Sequence, residues 1–328
     1  MSRSAERAAS LLGVLGLFVA TTGGAGVVAC HGKSTPAASA SPTSGSASAP
    51  LAAGPAPREI TTPSTLELSG ITWAPQLDRW LVVSDDVDEG ADRHLPEVFA
   101  LSKDGALDAQ PIPIEGVSAL NDLESICAGP NGTFFATTSH SPNKKGHIPP
   151  TRRALLHLAL EGRKLVILGR ADLTTARSGF IDAEALAFRD GTLYVGLKAP
   201  LDDKGQATIL AIADAAAAVK AGSFPPGSVS VWATPRLCPG AACEGVSDMA
   251  FLPGGQLLLV ANSPKGAPSD GGGSLYRLAS PTSSPELLRR FPGFKPEGVA
   301  LAPDGASIVL VFDRDKKQPM WLSLPVPP

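Results

Sequence analysis

A pattern of short apolar segments recurs five times between residues 58 and 328, and this repetition limits the possible fold more than any other feature. Each copy opens with a segment that carries a Ser or Glu marker, and two further apolar runs follow it. The opening segments are LSGITWAP (68–75), LESICAGP (123–130), AEALAFRDG (183–191), VSDMAFLPGG (246–255) and PEGVALAPDG (296–305). The markers, spaced by 55, 60, 63 and 50 residues, are Ser69, Glu124, Glu184, Ser247 and Glu297.

Repeats of this length, each with about four short strands, are typical of β-propeller blades. A lone four-stranded sheet cannot bury both of its apolar faces, so the repeats must stack against one another in a ring. We therefore expect an all-β fold, a five-bladed β-propeller, with six blades as the alternative if a long loop contains a degenerate blade. The fifth repeat ends after three strands, so the N-terminal run around 59–62 is expected to complete it and to protect its edge.

The composition agrees with a globular, turn-rich β protein. The chain is 43% hydrophobic, which is enough for a sizeable core, and its 34 Gly and 31 Pro residues favour many turns. Its formal net charge of -3 argues against a nucleic-acid partner, because nucleic-acid binders usually carry a basic surface.

The N-terminus has the features of an export signal. Arg3 and Arg7 precede a largely apolar, uncharged stretch (11–29) that ends in VVAC. This end resembles the bacterial lipobox, in which small residues precede a cysteine that is lipidated after cleavage. The resemblance implies a lipid anchor on Cys30, and an ordinary signal peptide or membrane anchor is the alternative. Since His31 follows the cysteine where Asp would favour the inner membrane, similarity to Gram-negative lipoproteins implies the outer membrane.

The segment after the cysteine is rich in Pro, Ala, Ser and Gly and has few bulky apolar residues. It cannot bury enough apolar surface to fold, so we expect a disordered tether that holds a folded domain away from the membrane. The predicted organisation is a lipoprotein signal peptide (1–29), a linker (30–57) and a β-propeller (58–328), in the cell envelope facing the periplasm or the surface.

Three cysteines remain for the folded part of the chain. Cys238 and Cys243, in LCPGAAC, are close enough to form a disulfide in an oxidising compartment, and a metal pair is the alternative. Cys127 lies in the apolar run SICA and is expected to be buried.

Chain direction places the start of each first strand and the end of each second strand at the same end of the central channel. The loops that leave this end are long and charged, and binding sites usually occur on such loops. Equivalent positions at the ends of the second strands carry mostly polar residues that vary between the repeats: Asp85, Ser139, Lys198, Asn262 and Asp313, followed by Asp86, His140, Ala199, Ser263 and Arg314. Since stacking does not require such variety, we predict a ligand site formed by Asp85, His140, Lys198, Asn262, Asp313 and Arg314. Five independently solvated strand ends are the alternative.

Acidic residues at this end also suggest a cation. Asp86, Asp88, Asp92 and Glu97 occupy positions 1, 3, 7 and 12 of a window, as in an EF-hand calcium loop, although Ala91 replaces its glycine. The predicted Ca²⁺ ligands are Asp85, Asp86, Asp88, Glu124, Glu184 and Glu297. A solvated acidic loop is the alternative for the aspartates, and fastening of one blade to the next is the alternative for the repeated glutamates. Basic residues in the loops at 140–153 and 314–317 would attract a small anion.

Several segments together resemble known bacterial propellers: SGITW…LVVSDD, DLES, FIDAEALAFRDGTLYVGLKAPL and KPEGVAL. They are similar to propellers related to the esterase-like domain of phytases, and to an uncharacterised family with EGLA and GLR-P motifs. The resemblance covers most of 65–315 and implies that Lys198 replaces the usual Arg. It also implies that three residues correspond to the Glu of the EG motif: Glu124, Glu184 and Glu297. The chain has ES, EA and SD at positions where EG is expected.

A weaker similarity links the chain to lactonase-type propellers, which hold a metal with Glu, Asn and Asp. It implies that Glu297, Asn262 and Asp313 are the metal ligands. No Gly-x-Ser-x-Gly motif occurs in the folded region, so a serine hydrolase is disfavoured.

Two functional hypotheses follow. The first is a membrane-anchored, non-enzymatic lipoprotein whose propeller binds a ligand or an envelope partner at one mouth of the channel. The second is a Ca²⁺-dependent phosphoesterase or esterase, with Asp85, Asp86 and Asp313 holding the ion and Lys198 or Arg314 stabilising negative charge. We favour binding, because the polar ring supplies few metal ligands and no evident nucleophile.

Overall fold

The apolar runs of the repeats form β-strands, and strands dominate the described part of the chain. The computed structural model describes residues 54–62, 66–87, 95–143, 145–175, 180–267, 271–314 and 317–328. The predicted signal peptide, Cys30, nearly all of the linker, and Asp88 lie outside the described residues, and so does the side chain of Asp86. The prediction of an all-β chain is confirmed.

Twenty strands are described, and they follow the repeats. β1 is Arg58–Glu59, and the first repeat contains β2 (Leu66–Ala74), β3 (Arg79–Val87), β4 (Glu97–Leu101) and β5 (Ile112–Glu115). The second contains β6 (Leu123–Ala128), β7 (Thr133–Thr138), β8 (Leu155–Glu161) and β9 (Lys164–Ala171). The third contains β10 (Asp182–Arg189), β11 (Thr192–Ala199), β12 (Thr208–Ile212) and β13 (Val229–Ala233). The last two contain β14 (Gly245–Phe251), β15 (Leu257–Asn262), β16 (Gly273–Leu278), β17 (Glu286–Phe291), β18 (Lys295–Leu301), β19 (Ser307–Asp313) and β20 (Met320–Pro325).

Each repeat folds into four antiparallel strands in chain order. β10–β13 and β14–β17 are separate four-stranded sheets, and β18–β20 form a third with β1. β2–β5 and β6–β9 belong to one eight-stranded sheet, because β5 pairs in parallel with β9 between Ile114–Glu115 and Leu165–Val166.

The N-terminal strand completes the last repeat, as predicted. Arg58 pairs with Trp321 and Glu59 with Met320, so β1 covers the edge of β20. The Arg58 guanidinium lies 4.4 Å from the centroid of the Trp321 ring, which adds a cation–π contact to this closure. The strand lies at Arg58–Glu59, slightly before the run predicted from the sequence.

The first strands of the repeats contact one another in cyclic order, which encloses a channel. β2 contacts β6, β6 contacts β10, β10 contacts β14, β14 contacts β18, and β18 contacts β2. β2 approaches β6 so closely that a Cβ atom on Gly70 would lie 2.7 Å from the Cα atom of Ser125. Only glycine fits such an approach.

The core consists of five apolar clusters, and each lies between two neighbouring repeats. One cluster joins β2–β5 to β6–β9 and includes Leu81, Ile126 and Phe134. The cluster that joins the last repeat to the first includes Ile71 and Val311. Each repeat therefore buries its two apolar faces against its neighbours, as expected for repeats that stack in a ring.

The remaining elements are small. The helix α1 (Ala215–Ala221) lies between β12 and β13 and packs against β8 and β9. Single turns of 3₁₀ helix occur at Pro130–Gly132, Pro150–Arg152 and Leu173–Thr175. No helix in the described ranges is long and apolar enough to cross a membrane.

The cysteine predictions are confirmed. Cys238 and Cys243 form a disulfide with an S–S distance of 2.05 Å, so they do not form a metal pair. Cys127 is a free, buried thiol.

Candidate functional site

Strand pairing brings the candidate residues to one end of the channel, which we term the polar end. Here the first strand of each repeat begins and the second strand ends: Asp182 pairs with Ala199, Gly245 with Asn262, and Lys295 with Asp313. Polar side chains from different repeats therefore meet around the channel.

Lys198 is at the centre of one polar network. Its Nζ lies 2.5 Å from Oε2 of Glu184 and 3.2 Å from Oε1 of Glu297. Glu297 also lies 2.5 Å from Nζ of Lys295, which in turn lies 3.1 Å from Oδ2 of Asp313. Among the predicted site residues, the structure thus brings together Lys198, Asn262, Asp313, Glu184 and Glu297.

Lys198 and Lys295 strongly influence whether the two glutamates of this network are ionised. Burial opposes ionisation of Glu297, yet the ammonium groups of Lys198 and Lys295 lower its pKa to about 2. Burial raises the pKa of Glu184 to about 8, because Lys198 only partly offsets the burial and the nearby charges of Asp182 and Glu297. Glu297 therefore stays ionised, whereas Glu184 takes up a proton near neutral pH.

The side-chain amide of Asn262 is hydrogen-bonded within this network, but one of its two polar atoms has no hydrogen-bond partner among the described residues. Its side-chain NH₂ group donates to Oε2 of Glu297 at 2.9 Å and to the carbonyl of Pro296 at 3.1 Å. Two acceptors on one side identify this group as the amide nitrogen, so Oδ1 points the other way. Oδ1 is buried and has no hydrogen-bond donor among the described residues, and such an orphan acceptor is costly.

A cavity of about 260 Å³ lies beside Asn262. Its walls include polar side chains and three glycines, Gly271, Gly272 and Gly293. Its charged members lie in and around β18 and β19: Lys295, Asp313, Arg314 and Lys317. Three cations and one carboxylate line the cavity, and two carboxylates outside the lining, Glu297 and Glu59, pair with Lys295 and Arg314.

An acidic cluster lies at the start of β6 and the end of β3, near enough to the Lys198 network for the charge of Glu184 to act on Asp85 and Glu124. Oxygen atoms of Asp85, Asp122 and Glu124 lie within 4.8 Å of one another. Burial, together with the charges of the other members, raises the pKa of both Asp85 and Glu124 well above their usual ranges. Asp122 is anchored by the Ser139 hydroxyl and by Nη1 of Arg152 at 2.8 Å.

Carboxylate oxygens at such spacing are the donors that Ca²⁺ prefers, so this cluster suits a calcium ion better than the trio Glu297, Asn262 and Asp313 does. In that trio, lysine ammonium groups already balance the carboxylates. The structure thus divides the predicted metal set, with Asp85 and Glu124 in the acidic cluster and Glu184 and Glu297 beside Lys198.

His140 and Arg314 have different surroundings from those of the network. His140 is fully buried, its Nδ1 lies 2.8 Å from the carbonyl of Thr138, and its Nε2 accepts from the Leu173 N–H at 3.3 Å. Burial lowers the pKa of His140 to about 4, so its ring is neutral and both nitrogens are occupied. Arg314 lines the cavity and contacts Glu59 at 3.0 Å.

Sequence reasoning missed Asp122, Asp182 and Lys295 as site residues. Each stands two positions before a repeat marker, at the start of a first strand where the pairing register shifts. The segments Asp-x-Glu at 122–124 and 182–184 and Lys-x-Glu at 295–297 carry this signal. The equivalent position before Ser247 is Gly245, where a Cβ atom would lie 2.0 Å from the Lys198 carbonyl oxygen.

A buried pair of polar side chains crosses the channel below the polar end. Ser125 donates to Oδ1 of Asp248 at 2.9 Å, and the Val299 N–H donates to Oδ2 at 2.9 Å. The Ser125 hydroxyl also accepts from the Leu186 N–H at 3.1 Å. The crossing ties together β6, β10, β14 and β18, and burial raises the pKa of Asp248 well above its usual range.

No protein-family model matches the sequence, and no curated protein sequence is significantly similar to it. The similar solved structures are β-propeller proteins. They include a glucose dehydrogenase (14% identity over 82% of this chain and 99% of that one, TM-score 0.46) and a gluconolactonase from Xanthomonas campestris (14%, 80% and 87%, TM-score 0.42). A luciferin-regenerating enzyme is also similar (14%, 82% and 95%, TM-score 0.42). These activities are those of the named proteins.

Proposed function

We propose that this chain is an exported lipoprotein whose five-bladed β-propeller binds a small hydroxylated anion at the polar end. Five sets of four strands and five apolar clusters between successive sets support five blades. The VVAC sequence ending at Cys30 and the Pro- and Ser-rich segment after it support lipidation and a tether.

The orphan oxygen of Asn262 is the observation that carries the binding proposal. A buried acceptor without a donor costs about 1–3 kcal/mol, and a ligand hydroxyl in the neighbouring cavity would satisfy it. The three cations that line the cavity, Lys295, Arg314 and Lys317, favour an anion. At about 260 Å³ the cavity suits a small molecule rather than a protein segment.

Three four-carbon probes test this proposal by isothermal titration calorimetry: tartrate, succinate and threitol. Tartrate has both carboxylates and hydroxyls, succinate lacks the hydroxyls, and threitol lacks the charge. We expect tartrate to bind most tightly. Asn262→Ala should remove the preference for tartrate over succinate, and the double variant Arg314→Gln/Lys317→Gln should weaken both anions by about tenfold.

Lys220→Gln, on α1 and away from the cavity, is the matched control and should leave binding unchanged. Equal affinity for tartrate and threitol would contradict the proposal, and so would tartrate binding that the double variant does not weaken. Anchoring is tested separately, since Cys30→Ser should move the chain from the membrane fraction to the soluble fraction.

A Ca²⁺-dependent phosphoesterase or esterase is the second candidate, and the acidic cluster is the observation that favours it. Asp85, Asp122 and Glu124 would hold the ion, which would relieve the repulsion that raises their pKa values. Millimolar Ca²⁺ should then raise the melting temperature, and Glu124→Gln should abolish the effect.

The exposed Glu161→Gln is the matched control for this measurement and should retain the response to Ca²⁺. Hydrolysis of p-nitrophenyl phosphate and p-nitrophenyl acetate should depend on Ca²⁺ if the cluster is catalytic. Absence of both stabilisation and turnover would exclude the hydrolase.

A further inference from the structure

A second cavity, of about 370 Å³, lies at the opposite end of the channel, which we term the apolar end. It is lined by the same three positions of the first strand in every repeat. These segments are Ile71–Trp73, Ile126–Ala128, Leu186–Phe188, Met249–Phe251 and Val299–Leu301. A cavity of this size with mostly apolar and aromatic walls has the properties of a small-molecule site.

The cavity is closed at the bottom and open at the rim. The deepest position of each segment is at most 2% exposed: Ile71, Ile126, Leu186, Met249 and Val299. Ser125 and Asp248 directly precede two of these residues and cross the channel, so they separate the cavity from the polar end. Trp73, Phe188 and Phe251 are half-buried, and they line the opening.

The lining side chains favour a hydrocarbon chain over a peptide. Of those side chains, only Thr72, Trp73 and Cys127 carry a hydroxyl, an N–H or a thiol, so the amide groups of a buried peptide would find few partners there. Met249 is flexible and adapts to an irregular apolar guest.

Two cations stand at the rim. Nζ of Lys103 lies 5.0 Å from the centroid of the Trp73 ring, and the Arg189 guanidinium lies 5.5 Å from that of Phe251. Their acidic partners, Asp78 and Asp190, are 68% and 86% exposed, and exposed ion pairs of this kind are weak. Both cations can therefore turn to an anionic group at the opening.

We infer that the apolar end binds a single-chain anionic amphiphile, such as a long-chain carboxylate. Its alkyl chain fills the cavity between the five first strands, and its head group contacts Lys103 or Arg189. This site is separate from the polar end and does not depend on the function proposed there.

The test uses the full chain with Cys30→Ser, so that no acyl group of its own competes. Dodecanoate is titrated below its micelle-forming concentration and followed by calorimetry and tryptophan fluorescence. We expect one molecule per chain. Ala128→Trp, which adds a large ring at an exposed position of the lining, should weaken binding by about tenfold or more. Ala217→Trp, on the exposed side of α1, is the matched control and should bind as the parent does.

The head group is tested with dodecyltrimethylammonium, which has the same chain and the opposite charge. The parent should prefer dodecanoate, and Lys103→Glu/Arg189→Glu should reverse that preference. Arg236→Glu is the control for the charge change, because it is exposed and does not line the cavity.

Three results would overturn the inference. They are no saturable binding of dodecanoate, equal affinity of Ala128→Trp and the parent, and equal affinity for the two head groups. Analytical ultracentrifugation identifies a different occupant, since a dimer that Ala128→Trp disrupts would show that a second copy covers this end. Loss of dodecanoate binding would leave tartrate binding at the polar end unaffected, so the two proposals fail independently.

Discussion

The two ends of the channel are built from the same five strands and have opposite chemistry. At the apolar end, equivalent positions are all aliphatic: Ile71, Ile126, Leu186, Met249 and Val299. At the polar end, the position two residues before each marker ranges from acidic to basic: Glu67, Asp122, Asp182, Gly245 and Lys295. Stacking requires similar apolar groups in every repeat, whereas it sets no such requirement for the strand starts. Uniform positions therefore indicate packing, and varied polar positions indicate a site.

The ends also differ in energy. The apolar end gains from burial of hydrocarbon surface. The polar end contains buried charges, which cost free energy unless each has a partner. Mutations at the two ends should therefore change the free energy of unfolding by amounts that differ in size, in sign and in pH dependence.

Lys198→Met should have the largest effect. It leaves Glu184 without its cation and Glu297 with Lys295 alone, so the free energy of unfolding should fall by about 3 kcal/mol at pH 7. Urea denaturation measures the loss. Lys198→Met/Glu184→Gln should recover part of it. Unchanged stability of the single variant would show that the network is solvated and that the polar end is not a buried site.

Asp248→Leu should cause the second largest loss in the free energy of unfolding, because it removes the Ser125–Asp248 contact that separates the two ends. The Ser125 hydroxyl and the Val299 N–H would lose their acceptor, at a cost of about 2–3 kcal/mol. Asp248→Asn retains one acceptor oxygen and should lose less. Equal losses for Leu and Asn, measured by thermal unfolding, would argue against this account of the crossing.

Glu124→Gln should stabilise the chain at pH 8 by about 1 kcal/mol in the absence of Ca²⁺. Burial and the neighbouring carboxylates raise the pKa of Glu124, so its ionisation opposes folding and its contribution to stability is lost as pH rises. Asp182, with a pKa of about 6, and Glu184, with a pKa of about 8, act in the same direction. Below about pH 6.5 the lowered pKa of His140 acts in the opposite direction, because the unfolded chain binds a proton that the buried ring does not. Parent stability should therefore decline between about pH 6.5 and 8, and Glu124→Gln should reduce the slope. A steeper slope in the variant would contradict the assignment.

Phe251→Ala should have the smallest effect, about 1 kcal/mol, because this half-buried ring lines an open cavity. The loss should not depend on pH, in contrast to that of the polar-end variants. Val260→Ala, in the closed core, is the comparison. Per heavy atom removed, it should lower the free energy of unfolding more than Phe251→Ala does. A larger loss for Phe251→Ala would indicate that the cavity is closed.

Much of the fold could be predicted from the sequence, because the repeat imposes its own geometry. The strands, the disulfide and the closure by β1 all follow from local patterns and from the need to bury two apolar faces. The polar end was also predicted, since strand direction alone places strand starts and strand ends together.

The arrangement within the polar end was not predictable in the same way. The ring of Asp85, Lys198, Asn262 and Asp313 is divided in the structure into an acidic cluster and a lysine network. His140 was predicted as a ligand-binding residue from its position, but both of its ring nitrogens are hydrogen-bonded to backbone groups. Side-chain reach and burial decide these contacts, and neither can be derived from spacing along the chain.

The sequence by itself determined the repeat, the strand order and the end of the channel at which polar residues collect, because these depend on periodicity and chain direction. Only the tertiary structure decided which charges pair, which acceptor stays without a donor, and that the channel is divided by Ser125 and Asp248. Such contacts join residues that are between 14 and 123 positions apart along the chain, and their energies depend on distances of a few tenths of an ångström.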